Sequence, residues 1–155
     1  MSRSETNRPG TAHPGYGALV ISLDCELHWG VRDHQPADGP YRQNLLGARN
    51  AIPRMLDLFE EYGIAATWAT VGFLFAGSRR ERESFSPRVR PCYSDPSLDP
   101  YREPTGEGEA DDPLHYAPSL IEQIHRRPRQ EVATHTFSHY YCMEPGHTPE
   151  AFAAD

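Results

Sequence analysis

Lysine is absent from this chain of 155 residues, so its fifteen basic residues other than histidine are all arginines. They face 22 acidic residues, leaving a formal net charge of -7. With no basic stripe or polybasic tail, nucleic acid and anionic lipid surfaces are excluded as expected partners. Long hydrophobic runs are also missing. Nowhere do about 18 apolar residues follow one another, the length a transmembrane helix needs, so no membrane span is expected. The opening "MSRSETNRPGTAHPG" lacks the apolar stretch of a signal peptide, which makes the expected location cytoplasmic. Cysteine is scarce. Cys25, Cys92 and Cys142 are odd in number and irregularly spaced, which argues against a disulfide framework and for reduced thiols. No internal repeat or low-complexity tract is present, and the oligomeric state is left open.

What is present suits one globular domain: 37% hydrophobic and 24% charged residues. Fifteen prolines and twelve glycines predict a large irregular fraction. Residues 1–15, polar and broken by Pro9 and Pro14, read as a disordered lead-in to a folded unit over 16–155. Order begins at "ALVISLDCE", a nearly continuous apolar run of the kind a strand buried on both faces shows. Leu46 to Tyr62 then carries Ala48, Ile52, Met55, Phe59 and Tyr62 at helical spacing and stops at Gly63, with Pro53 expected in or near its first turn. "IAATWATVGFLF" follows at once, giving a second strand over Ile64 to Thr70 with Trp68 in the core. Strand, helix and strand with tight connections form the unit of a parallel sheet. Residues 77–112 turn abruptly to Arg, Ser, Pro, Asp, Glu and Gly, and read as a loop insertion, either flexible or a functional lid. "PLHYAPSLIEQIHRRP" restores a helix with Leu120, Ile121 and Ile124 on its apolar side, and the strand "QEVAT" succeeds it.

Two polar clusters close the first and third strands, at the edge where parallel α/β folds assemble their sites. At the first, Asp24 and Glu26 alternate onto one side if strand geometry persists, so one carboxylate can bind a metal while the other remains a free base. At the third, "VATHTFSHYYC" sets His135 and His139 four positions apart. On a helical turn these share a face with Cβ atoms about 5–6 Å apart, within reach of one metal ion. Cys25 also has zinc-binding chemistry, although alternation points it away from Asp24.

Taken together, "ISLDCELHWG", "ATWATVGFLF" and "EVATHTFSH" resemble the polysaccharide deacetylase family, also called the NodB-homology domain or carbohydrate esterase family 4. Its first motif, commonly Thr-Phe-Asp-Asp-Gly, supplies a catalytic-base aspartate and a metal-binding aspartate; its second, His-Ser/Thr-x-x-His, supplies two metal-binding histidines. By position, Asp24 matches the base, and His135 and His139 match the ligands. The first motif departs where Cys25 follows Asp24, and Glu26, the nearest second carboxylate, is expected as third ligand. The resemblance implies a partial (β/α) barrel of about three parallel strands with helices and one long insertion. It also implies a divalent ion, zinc before others, a carbohydrate substrate, and hydrolysis of N-acetyl groups with Asp24 taking the proton of the attacking water. Two other readings stay open: an inactive truncated relative that retains only metal binding, and a hydrolase of a small amide or ureide.

The resemblance spans roughly residues 17–147 and covers the front of the family's domain. Family members continue into an arginine motif, a hydrophobic acetate pocket and a late Leu-x-His whose histidine is the general acid. The 155 residues alone are therefore expected to be inactive, marginally stable and prone to associate through an open sheet edge. Of the remaining residues near the motifs, Trp29 and Tyr140 are candidates for stacking on a sugar ring, with packing the commoner role. His28 reads as a solvated loop histidine that could join the site as a local acid. Arg32 and Asp33 are candidates to pair with each other or with a substrate group. "HTPEAFAAD" reads as a helix start capped by Thr148.

Overall fold

A computed structural model describes residues 17–155; the expected disordered lead-in, residues 1–15, lies outside the described residues. Three parallel strands, β1 (Ser22–Cys25), β2 (Ala66–Thr70) and β3 (Gln130–Thr134), form one open sheet in the order β1-β2-β3. The register aligns Leu23 with Trp68 and Val132, and Asp24 with Ala69 and Ala133. Among the described residues four α-helices accompany it: α1 (Arg42–Glu61), α2 (Arg79–Phe85), α3 (Pro118–Arg126) and α4 (Pro149–Ala154). The architecture is mixed α/β with a three-stranded parallel sheet, as the strand-helix-strand pattern required.

Alternation divides the sheet into two unlike faces. Leu23, Cys25, Trp68 and Val132 join Ile52 and Leu56 of α1 and Leu120, Ile121 and Ile124 of α3 in one hydrophobic core. On the opposite face stand Ser22 and Asp24, both exposed, with Thr67, Ala69, Glu131 and Ala133. A strand buried on both faces from Ala18 onward is thus not what forms. Leu19 and Val20 are largely exposed, at 88% and 78%, and the strand starts only at Ser22. Its reason is positional: among the described residues β1 lies at a sheet edge, paired with β2 alone and covered on one face.

Two further expectations are corrected. α1 begins four residues before Leu46, at Arg42, so Pro53 stands well inside the helix. There it removes one backbone donor. Residues 77–112 hold regular structure rather than a bare loop: α2, two 3-10 turns (Pro96–Leu98 and Pro100–Arg102) and a bridge between Ser78 and Gly108. Ser78 caps α2, its hydroxyl accepting from Glu81 N, while Glu81 Oε2 accepts from Gly77 N at 2.6 Å. Buried Arg82 then carries its guanidinium over Trp29, Phe73 and Tyr116, 5.4–5.9 Å from the ring centres. That contact holds the segment onto the core. No helix among the described residues is long and apolar enough to cross a membrane.

Candidate metal centre

Glu26 follows β1 directly and opens the 3-10 turn Leu27–Gly30. His135 follows β3, its backbone N–H donating to Thr70 O at 2.9 Å, which fixes it beside the end of β2. The helical turn expected at 135–139 does not form. Thr136 and His139 instead adopt left-handed backbone, φ 60° and 57°, and Leu27 beside Glu26 does the same at φ 46°. Such conformations are costly for residues other than glycine and persist where surrounding contacts impose them. Those contacts are present. Gly72 N donates to Thr136 O at 3.0 Å and Phe73 N to Phe137 O at 2.9 Å. Tyr140 N donates to Thr136 Oγ1 at 2.7 Å. The Asp155 side chain accepts from the Phe137 and Ser138 amides at 2.8 and 3.1 Å.

This scaffold brings the two imidazoles to 5.1 Å between ring centres and sets both against one carboxylate oxygen. Glu26 Oε2 lies 3.3 Å from His135 Nε2 and 3.2 Å from His139 Nε2. A tetrahedral zinc ion with ligands at 2.0–2.2 Å separates them by about 3.3–3.5 Å, so the spacing fits one such ion. All three residues are partly buried and offer ligand atoms within 4.8 Å of one another. The carboxylate is also held in its ionised form. The hydrogen bond to His139 lowers the Glu26 pKa; burial opposes this, and the charges of His139 and His135 add to the lowering. Space for it comes from Gly30, where an added Cβ would fall 2.0 Å from the Glu26 carboxyl. His139 Nδ1 is buried and meets no acceptor among the described residues.

Asp24 does not join the three convergent atoms. It is exposed on the open face of β1, one residue pair back along the strand from Glu26, beside a row of small residues, Ala69 and Ala133. A cleft of about 260 Å³ is lined by Asp24 and Glu26 together with Tyr41, Asn44 and Leu45. Cys25 faces the other way. Its thiol is in the core, and burial pushes its pKa up to about 11, against a smaller lowering by a hydrogen bond with Thr70. It takes no part among the three ligand atoms.

The neighbouring candidates are redistributed. Trp29 and Tyr140 are buried packing residues rather than open platforms: the Trp29 indole donates to His115 O at 3.0 Å, and the Tyr140 hydroxyl to Thr148 O at 3.2 Å. Trp68 is in the core as expected. His28 is not solvated but buried, with Nδ1 2.8 Å from His115 Nε2 and Nε2 2.8 Å from Gln35 O. Both ring nitrogens are engaged, so it is not a free local acid. Arg32 and Asp33 do not pair. Arg32 donates to the Ser97 and Leu98 carbonyls, while Asp33 lies 2.6 Å from His34 Nδ1. Gly30 and Asp155 are the contributors that sequence reading missed. Glycine in "LHWG" offers a weak signal of close approach, and nothing local marks Asp155. Comparison of the chain with protein-family models, curated proteins and solved structures found no match.

Proposed function

We propose that this chain is a metal-dependent hydrolase of the polysaccharide deacetylase type, removing N-acetyl groups from a carbohydrate. The observation that carries the reading is the meeting of Glu26 with His135 and His139 at the carboxyl edge of a parallel sheet, beside an uncommitted carboxylate, Asp24. Glu26 Oε2 and the two Nε2 atoms would hold the ion, and the mixed nitrogen and oxygen donor set suits zinc. Bound there, zinc supplies a Lewis acid and water of lowered pKa. Asp24, on the open side of the strand, accepts a proton from the attacking water at its carboxylate oxygen. The hydrogen bonds that impose left-handed backbone at Thr136 and His139 would hold the histidines in place before substrate arrives. The cleft beside Tyr41 and Asn44 gives polar groups to a sugar.

The test is acetate release from N-acetylglucosamine oligomers by the zinc-loaded protein, expressed from the whole of its reading frame. Asp24→Asn should keep the zinc and lose about 10²- to 10⁴-fold in rate. Loss of zinc together with activity would make Asp24 a ligand instead. A zinc-loaded protein inert on acetylated sugars, small amides and ureides alike would leave metal binding as its role.

A further inference from the structure

Away from that centre, the loop after β1 meets the far end of the 77–112 segment through a second cluster: His28, His115 and Glu103. His28 and His115 are 1% and 2% exposed, and Glu103 closes the cluster from the side nearer solvent. His28 Nδ1 is 2.8 Å from His115 Nε2, and Glu103 Oε1 is 3.8 Å from each. The outer nitrogens are committed. His28 Nε2 stands 2.8 Å from the Gln35 carbonyl, which can only accept, so this nitrogen carries a proton. His115 Nδ1 stands 2.8 and 2.9 Å from the two oxygens of Asp112. Three donors engage the same carboxylate, from His115, Gly106 N at 2.8 Å and Leu114 N at 3.3 Å, so Asp112 accepts and His115 Nδ1 is protonated too.

It follows that in neutral rings the two inner nitrogens, His28 Nδ1 and His115 Nε2, are both lone pairs, aimed at each other across 2.8 Å. Two acceptors repel at that distance unless something positive lies between them. We infer that His28 Nδ1, His115 Nε2 and Glu103 Oε1 bind a second divalent ion, of the zinc class, which joins the turn after β1 to the end of the 77–112 segment. The surroundings are those of metal-bound histidines: each ring gives its outer N–H to an acceptor, a carboxylate for His115 and a backbone carbonyl for His28. With three protein ligands the fourth tetrahedral position is open to water. Seating it requires the nitrogens to part by about half an ångström and Glu103 to close by a similar amount, to reach tetrahedral spacing. The outer oxygen of Glu103 is 3.8 Å from Arg32 Nη1. The inference does not depend on what the first centre catalyses.

Zinc content separates this site from a shared proton. Purified protein equilibrated with zinc and desalted should hold two zinc ions, and His135→Ala should hold one. Glu103→Gln in that background should weaken the remaining zinc at least tenfold, and His115→Gln should remove it. Zinc added to His135→Ala should also slow amide exchange over residues 103–117. A wild type with a single zinc that disappears in His135→Ala would overturn the site and leave a proton between the rings. A second zinc unchanged by both Glu103→Gln and His115→Gln would overturn it as well. If His115→Gln does not fold, His135→Ala with and without Glu103→Gln decides the matter.

Discussion

Glu26 Oε2 sits 3.2 Å from His139 Nε2, although the two residues belong to segments that follow different strands and no single helix carries both. The contact exists because β1 and β3 both flank β2 in parallel, which delivers the residues after Cys25 and Thr134 to one edge. Removing either side of it should therefore act on metal affinity before it acts on folding. His135→Ala and Glu26→Gln are each expected to weaken zinc at the first centre by at least about a hundredfold, the upper end of what losing a mere supporting partner costs. Calorimetric titration in a Glu103→Gln background, where the other cluster is weakened, checks this. Equal affinity in wild type and variants would remove these residues as ligands.

Gly30 offers a way to disturb the ligand without touching it. A methyl group there collides with the Glu26 carboxyl, the far end of a flexible side chain that can swing aside. Gly30→Ala should leave the melting temperature within a few degrees of wild type, while zinc affinity falls at least tenfold. A variant that binds zinc normally would show that the carboxylate has another way to reach the histidines.

The alkaline limb of stability should carry the signature of Cys25. Its folded pKa of about 11 lies above the ordinary 9.0, so the buried thiol resists ionisation that the unfolded chain permits. The associated stabilisation is fully present below pH 9.0 and is lost as pH rises to about 11. The total is about 2–3 kcal/mol. Denaturant melts from pH 8 to 11 on wild type and Cys25→Ala check it, since the variant lacks that slope. In native protein at pH 8, alkylation should modify Cys92 and Cys142, which are exposed, and spare Cys25.

Arg82 fastens α2 to the core through three aromatic rings. Arg82→Ala should destabilise the protein by about 1–2 kcal/mol, from lost cation-π contact and lost packing of the side-chain stem. Faster amide exchange over residues 79–85 should accompany it. An unchanged melt would mean that the backbone hydrogen bond from Arg79 N to Glu107 O and the bridge of Ser78 with Gly108 suffice to hold the segment.

How much of this was legible in sequence depends on the range of the interaction. Periodicity placed α1, α3 and three strands, because burying one face is a local pattern with a fixed repeat. It misjudged β1 as buried on both faces, since the apolar run at Leu19 and Val20 carries no information about which strands will flank it. Helix α2 was missed inside a polar segment although Ser78 and Glu81 stand at capping-box spacing, a signal that composition masked.

The same division holds for the sites. Residue type and spacing singled out His135 and His139, and the family resemblance chose Glu26 over Asp24 as their partner; the three do meet, although not on the helical turn expected. Sequence also set the absence of lysine, the acidic charge and the lone thiols, which depend on no contact. Tertiary structure decided the rest: the left-handed backbone that replaces a helical turn at 135–139, the hollow at Gly30, the Asp155 bonds to the histidine loop, and the pairing of His28 with His115. These join residues from 4 to 87 positions apart, and the three-dimensional path of the backbone alone determines which of them meet.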